Sequence, residues 1–308
     1  MTSYRLGINT CFAVKRWPRP ERWARLVHDD LGLDLVQHTL DLVDLDASPE
    51  QLRYQADWLR AACAAGGLTL HSTFTGLAAY TSNLLLHPDL AARERARAWY
   101  RRVIDFTAAV GARSTGGHVG TYCIDDWNHP VRRRKLWSEL GESLAELAAH
   151  AREQELSALM VENLAAMREP STPQMLSSLL TDGDEAHVPI RLCLDVGHQC
   201  VPGTSGKDRD PYTWLKQLGA RTAVVQLQQS DGKADHRWPF TPETNAVGVI
   251  DAQQVLAALD RSGATDTALI LEVIPPLQQD DDQALKDLCQ SAEYWRSALA
   301  AHDAGLAR

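Results

Sequence analysis

The sequence predicts a single α/β domain, a closed (β/α)₈ barrel spanning residues 1–308. Three observations favour it. A length of 308 residues suits one barrel of this kind. Short apolar runs alternate with stretches of helical periodicity, and no linker rich in Pro, Gly or Ser divides them. No G-x-G-x-x-G motif follows the first apolar run, which disfavours the rival open, doubly wound sheet.

The predicted elements follow from the spacing of apolar residues. The apolar runs are leucine-rich or β-branched, as in strands that are buried on both faces of a parallel sheet. They begin near Arg5, Leu33, Leu68, Ala112, Ala158, Ile190, Thr222 and Ala268. Between the runs, Val103, Phe106 and Val110 recur at helical spacing, which predicts an amphipathic helix. Pro49 and Pro173 stand where the first turn of a helix tolerates proline.

The composition excludes several classes of protein. A formal net charge of −9 leaves no basic stripe for nucleic acid, so we expect no nucleic-acid partner. No run approaches the roughly eighteen apolar residues of a transmembrane helix, so we expect no membrane span. The N-terminus carries no apolar secretory segment, which predicts a cytoplasmic protein. The six cysteines form no CxxC pair and are expected to be free thiols.

Three of the apolar runs carry an acidic residue near their end. Glu162, Asp195 and Glu272 each follow an apolar tripeptide, in the fifth, sixth and eighth runs. A carboxylate in such a strand is costly to bury unless it is paired or bound to metal. The C-terminal ends of barrel strands converge on one mouth, where a divalent cation would offset the mutual repulsion. Oxygen-rich ligation favours Mn²⁺ or Mg²⁺ over structural zinc, while unrelated salt bridges are the alternative.

Three histidines add candidate substrate contacts. His198 lies three residues after Asp195, beyond the predicted strand end, so we expect it to face the substrate rather than the metal. His71 and His118 belong to the third and fourth runs and are expected to line the same mouth. For His71 and His118, a structural histidine held by hydrogen bonds is the equal alternative.

These motifs resemble the sugar-phosphate isomerase/epimerase superfamily, the xylose-isomerase-like TIM barrels, over nearly the whole chain. The specific segments are 161–163 (VEN), 194–198 (LDVGH) and 271–273 (LEV). In ketose 3-epimerases of that superfamily, Glu, Asp, His and Glu on strands five to eight hold the metal. The resemblance therefore implies Glu162, Asp195 and Glu272 as ligands. The strand-seven histidine falls on Gln226, whose amide oxygen can also ligate a hard cation. Because strand periodicity puts Gln228 on the same side, the choice between the two glutamines stays open.

Residues 226–250 resemble, more particularly, the tetrulose-phosphate 3-epimerases and the catalytic subunits of C-glycoside deglycosidases. The implied reaction is 3-epimerisation of a ketose or tetrulose phosphate by deprotonation and reprotonation through a metal-bound enediolate. Glu162 and Glu272 would be the two proton-transfer groups, and Asp195 a ligand only. His198 would bind a substrate oxygen. Mn²⁺ is the expected metal, with Mg²⁺ or Co²⁺ as alternatives.

The loop after the seventh run carries three basic residues. By the same resemblance, Lys233, His236 and Arg237 would bind a terminal phosphate or outer hydroxyls, and Gln228 is a further candidate contact. A solvated charge run is the alternative for the basic residues. The expected ligand is a small sugar or sugar phosphate.

The main alternative function is a C-glycoside deglycosidase catalytic subunit that acts on 3-keto-glycosides together with a small partner subunit. A dehydratase or isomerase acting on a related polyol is also open. An apurinic endonuclease is disfavoured by the acidic charge and the missing strand-seven histidine, and a metal-free barrel by the three carboxylates. The family resemblance implies a homo-oligomer, or a hetero-oligomer in the deglycosidase case.

Overall fold

The computed structural model describes residues 4–306, which form a closed barrel of eight parallel strands. Each strand pairs with its neighbours in the sequence, and β8 pairs with β1. The predicted fold class is thereby confirmed. The strands are β1 (Arg5–Asn9), β2 (Leu35–Thr39), β3 (Thr69–Phe74), β4 (Ser114–Gly117), β5 (Ala158–Glu162), β6 (Ile190–Asp195), β7 (Thr222–Leu227) and β8 (Ala268–Leu271).

Helices follow the strands, with two short extra ones in the loops after β4 and β7. Within residues 4–306 they are α1 (Pro20–Arg25), α2 (Pro49–Ala65), α3 (Leu90–Ala109), α4 (Ile124–Asn128), α5 (Pro130–Glu153), α6 (Pro173–Leu179), α7 (Pro211–Leu218), α8 (Pro242–Asn245), α9 (Ala252–Ser262) and α10 (Asp281–Leu306). Pro49 and Pro173 begin α2 and α6, as predicted. None of the helices in this described part of the chain has the length and apolar character needed to cross a membrane.

The chain forms two compact units, and the boundary between them falls within β2, β3 and β6. We call residues 4–37, 62–69 and 194–306 the terminal half, and residues 38–61 and 70–193 the central half. The terminal half contains the whole of β1, β7 and β8. The central half contains the whole of β4 and β5.

Both halves have cores of large apolar side chains. In the terminal half, Trp23, Trp214 and Trp295 are fully buried; in the central half, Phe74 and Tyr122 are. The strands of the barrel wall are buried along most of their length, as the continuous apolar runs predict. Polar residues at strand ends are therefore held by rigid, well-packed elements.

His38, in β2, is expected to make the protein less stable in acid. Burial lowers the pKa of His38 to about 3, because the charged imidazolium is costly to desolvate. Below about pH 6.5 the unfolded chain binds this proton and the folded chain does not. The free energy of unfolding is therefore at its full value above that pH and falls as the pH drops toward 3. The linkage relation gives a loss of about 2 kcal/mol between pH 7 and pH 5. Urea titrations at both pH values measure this loss, and we expect it to be smaller in His38→Gln than in the wild type. An equal loss in both proteins would contradict the role given to His38.

Candidate metal and active site

The terminal half carries a buried carboxylate and a buried imidazole close together. Nε2 of His198 lies 3.5 Å from Oδ2 of Asp195. Glu162 ends β5, Asp195 ends β6, and His198 lies in the turn after β6. Such a donor set can hold a divalent cation. The imidazole of His198 lies beside Asp195 and beyond the end of β6.

Gln228 serves Asp195 as a hydrogen-bond donor. Its Nε2 lies 3.1 and 3.0 Å from the two carboxylate oxygens of Asp195 and 2.8 Å from Oδ1 of Asp235. Its Oε1 accepts from the backbone N–H of Arg237 at 2.6 Å. A Cβ at Gly197 would lie 2.3 Å from Cδ of Gln228, so a residue without a side chain is needed there. The amide of Gln228 is therefore engaged at both ends.

Gln226 is oriented by the buried amide of Gln37, which Asn9 also binds. Its Nε2 donates to Oε1 of Gln37 at 3.0 Å, and Nδ2 of Asn9 donates to the same oxygen at 2.9 Å. Oε1 of Gln226 is buried and has no hydrogen-bond partner among residues 4–306. An unsatisfied carbonyl oxygen in a dry interior costs free energy, and a hard cation is a partner that would remove this cost. The residues present therefore fit a divalent cation.

Asp235 links His198 to Arg237. Its Oδ2 lies 3.3 Å from Nε2 of His198 and 2.8 Å from Nη1 of Arg237. Burial acts to raise the pKa of Asp235, but His198, Arg237 and Gln228 outweigh it and hold this pKa well below its usual range. Asp235 is thus a carboxylate under all ordinary conditions. No sequence pattern marks it, since it lies in an irregular loop.

The basic residues of this loop have acidic neighbours. Nζ of Lys233 lies 3.6 Å from Asp231, and its side chain is 82% exposed. Nε2 of His236 lies 3.0 Å from the same carboxylate, and its ring stacks on Trp238. Of the three predicted substrate contacts in the loop, only Arg237 joins the hydrogen-bond network of Asp195 and Gln228.

Glu272 directly follows β8 and is almost fully buried. Its backbone N–H donates to the carbonyl of Leu227 at 2.8 Å, which extends the pairing of β7 with β8. Glu272 therefore lies at the end of β8, next to β7, the strand that bears Gln226. This is the position that the sequence predicts for a carboxylate at the mouth.

In the central half, the carboxylate of Glu162 is bound by a tyrosine. The hydroxyl of Tyr80 lies 2.8 Å from Oε1 and 2.6 Å from Oε2 of Glu162. The ring of Tyr80 stacks on His118, with 4.9 Å between the ring centroids. Burial lowers the pKa of His118 to about 4, and its Nε2 lies 3.3 Å from the carbonyl of Ser82. The neutral imidazole of His118 thus packs against Tyr80. This is the structural role that the sequence left as the alternative to a substrate contact.

His71 faces away from the barrel interior. Thr73, two residues later in β3, has its hydroxyl 2.6 Å from that of Thr107 in α3. Successive strand residues point to opposite faces, so His71 and Thr73 share the face toward the helices. The expected substrate contact of His71 is therefore not supported: it lies early in β3, and Nδ1 is 3.1 Å from Oγ of Ser72.

The chain belongs to the xylose-isomerase-like TIM barrel family, whose model matches residues 26–297. It is 26% identical to D-erythrulose 1-phosphate 3-epimerase of Brucella abortus (strain 2308) over 296 residues, 94% of each chain. A solved structure from Rhodospirillum rubrum, named provisionally as a xylose isomerase, is 35% identical; the TM-score is 0.87, and the match covers 96% of this chain and 99% of that one.

A more distant structure shares the fold. D-psicose 3-epimerase of Clostridium cellulolyticum H10, solved with D-tagatose, is 16% identical with a TM-score of 0.69, covering 96% of this chain and 99% of that one. The activities named among these relatives are sugar isomerisation and epimerisation. The chain is therefore a sugar epimerase or isomerase in general terms.

Proposed function

We propose that the chain is a divalent-metal-dependent sugar epimerase, and that its substrate is a ketose or tetrulose phosphate that it epimerises at carbon 3. The observation that carries the proposal is the buried oxygen of Gln226, which has no hydrogen-bond partner among residues 4–306, together with the buried pair of Asp195 and His198 in the same half. The full-length likeness to a D-erythrulose 1-phosphate 3-epimerase supports the choice of substrate class. The substrate is a small molecule, and the proposal needs neither a nucleic acid nor a membrane.

Glu162, Asp195, Gln226 and Glu272 would hold the cation. A bound divalent cation polarises the ketone carbonyl and offsets the negative charge that develops on its oxygen. The unpartnered oxygen of Gln226 and the engaged oxygen of Gln228 favour Gln226 as the strand-seven ligand. A donor set dominated by oxygen favours Mn²⁺, with Mg²⁺ or Co²⁺ as alternatives.

The chain's own carboxylates move the proton. One of Glu162 and Glu272 removes the carbon-bound proton next to the ketone, and the other returns a proton to the opposite face. Both carboxylates are buried, so each acts in a site from which bulk water is excluded. His198, oriented by Asp235, would donate to a substrate oxygen, and Arg237 would bind an outer hydroxyl or phosphate oxygen. Lys233 and His236 would add weaker, exposed contacts.

The proposal is tested by hydrogen exchange at carbon. We expect chelator-treated protein to be inactive, and re-addition of Mn²⁺ to restore solvent deuterium entry into erythrulose phosphate, followed by NMR. Parallel samples receive Mg²⁺, Co²⁺ or Zn²⁺ and free ketohexoses as alternative substrates. A protein that binds Mn²⁺ but exchanges no ketose proton would overturn the epimerase proposal. Activity on a 3-keto-glycoside only in the presence of a partner subunit would then indicate the deglycosidase function.

A further inference from the structure

The hydrogen bond between Tyr80 and Glu162 points to a function for a residue that no motif marks. We propose that Tyr80 is a positioning residue: its hydroxyl fixes the carboxylate plane of Glu162, the side chain that would both hold the cation and transfer the proton. The inference rests on the proposed metal-dependent function. It adds to that function a residue outside the ligand set.

The geometry explains why Glu162 needs such a partner. The terminal torsion of a glutamate side chain is broad and two-fold, so its carboxylate plane rotates easily unless a donor holds it. Tyr80 places one hydroxyl within 2.8 Å of both oxygens, which restricts that rotation. Hydrogen-bonded partners of ligating carboxylates orient the ligand and tune its affinity for metal.

Tyr80 is itself held from two sides. Its ring stacks on the buried His118 with an interplanar angle of 20°. It lies in the 3₁₀ turn Ala78–Thr81, and the carboxylate of Asp41 accepts from the backbone N–H groups of Leu77 and Ala78 at 2.7 and 2.8 Å. The hydroxyl position is therefore set by the fold of the central half rather than by a freely moving surface loop.

A glycine makes the anchoring of this turn possible. Gly76 has φ +80°, and a Cβ there would lie 2.6 Å from the carboxylate carbon of Asp41. Only a residue without a side chain lets the Asp41 carboxylate reach the turn in this backbone conformation. Oγ1 of Thr39 also donates to Oδ2 of Asp41 at 3.0 Å, which orients the anchor.

The first test compares two conservative variants of the full-length chain. Tyr80→Phe removes only the oxygen that binds Glu162, and we expect about 10-fold weaker Mn²⁺ affinity and a kcat about 10- to 100-fold lower. KM should stay close to that of the wild type, because the contact is to Glu162 and not to the substrate. Tyr122→Phe is the matched control: it removes a buried tyrosine hydroxyl that donates to the carbonyl of Arg133 and does not contact Glu162. We expect its Mn²⁺ affinity to equal that of the wild type.

A double-mutant cycle separates positioning from a general effect on folding. In a Glu162→Ala background there is no carboxylate to orient, so adding Tyr80→Phe should cost no further Mn²⁺ affinity. The affinities are measured from the EPR signal of free Mn²⁺, which needs no turnover. An Asp41→Asn variant should weaken Mn²⁺ binding in the same direction as Tyr80→Phe but by a smaller factor.

The outcomes separate this inference from the proposed function. Wild-type affinity in Tyr80→Phe, or an equal loss in both backgrounds, would overturn the positioning role. A wild-type chain that binds Mn²⁺ but exchanges no ketose proton would overturn the epimerase proposal alone, since the affinity cycle still decides the role of Tyr80. A wild-type chain that binds no Mn²⁺ would overturn both.

Discussion

Glu272→Gln is expected to lower the rate of epimerisation by about 10²- to 10⁴-fold, the range that a positioned acid or base contributes. The amide keeps the size of the side chain and an oxygen that a hard cation accepts, but it neither takes up nor delivers a proton at neutral pH. We therefore expect Mn²⁺ affinity to fall far less than the rate. The measurement is the interconversion of the two epimers by NMR in Mn²⁺-loaded protein.

Assays with each epimer as the separate starting substrate distinguish a mechanism with two carboxylate bases from one with a single base. Each carboxylate would face the carbon-bound proton of only one epimer. Deuterium exchange should therefore be lost with one epimer in Glu272→Gln and with the other epimer in Glu162→Gln. Glu185→Gln, which removes an exposed carboxylate, is the matched control and should exchange both. Loss of exchange from the same epimer in both variants would indicate a single base and sink the two-carboxylate mechanism.

The parts of the site that could be predicted from sequence are those carried by strands. Glu162, Asp195 and Glu272 each interrupt or end an apolar run. The C-terminal end of such a run can be located from the sequence alone, and in a barrel that end lies at the mouth. Gln226 is reached only through the family resemblance, and the sequence leaves the choice between it and Gln228 open. The barrel follows from the alternation of runs and helices, because eight parallel strands with crossovers close in only a few ways.

The parts that could not be predicted depend on loops and on the face of a strand. Tyr80 reaches Glu162 from a short 3₁₀ turn, and Asp235 reaches Gln228 from a loop; neither segment is long enough for periodicity to indicate the direction of a side chain. The prediction for His71 did not consider which face of β3 it lies on. Thr73 lies on the same face as His71 and contacts α3, so this face is turned to the helices. Gln226 donates to Gln37, whereas Gln228 donates to Asp195 and Asp235, and only a glycine at 197 leaves room for the amide of Gln228.

Gln226→His is expected to change which cation the protein prefers. An imidazole nitrogen is a softer donor than an amide oxygen, so Zn²⁺ and Co²⁺ should gain affinity relative to Mg²⁺. We expect the ratio of Zn²⁺ to Mg²⁺ affinity to rise on the order of 100-fold, or about 2.7 kcal/mol. Competition titrations with a chromogenic chelator measure this ratio directly, and the absorption spectrum of Co²⁺ reports the change of donor.

Gln226→Leu completes the argument about the strand-seven ligand. It removes both the unpartnered oxygen and the N–H that Gln37 accepts, while Asn9 still donates to Gln37. If the amide oxygen is a ligand, every divalent cation should bind more weakly to Gln226→Leu, without a change in selectivity. Mn²⁺ affinity equal to that of the wild type would remove Gln226 from the ligand set. The free energy of unfolding without metal should not fall, because the substitution also removes a buried oxygen that lacks a hydrogen-bond partner.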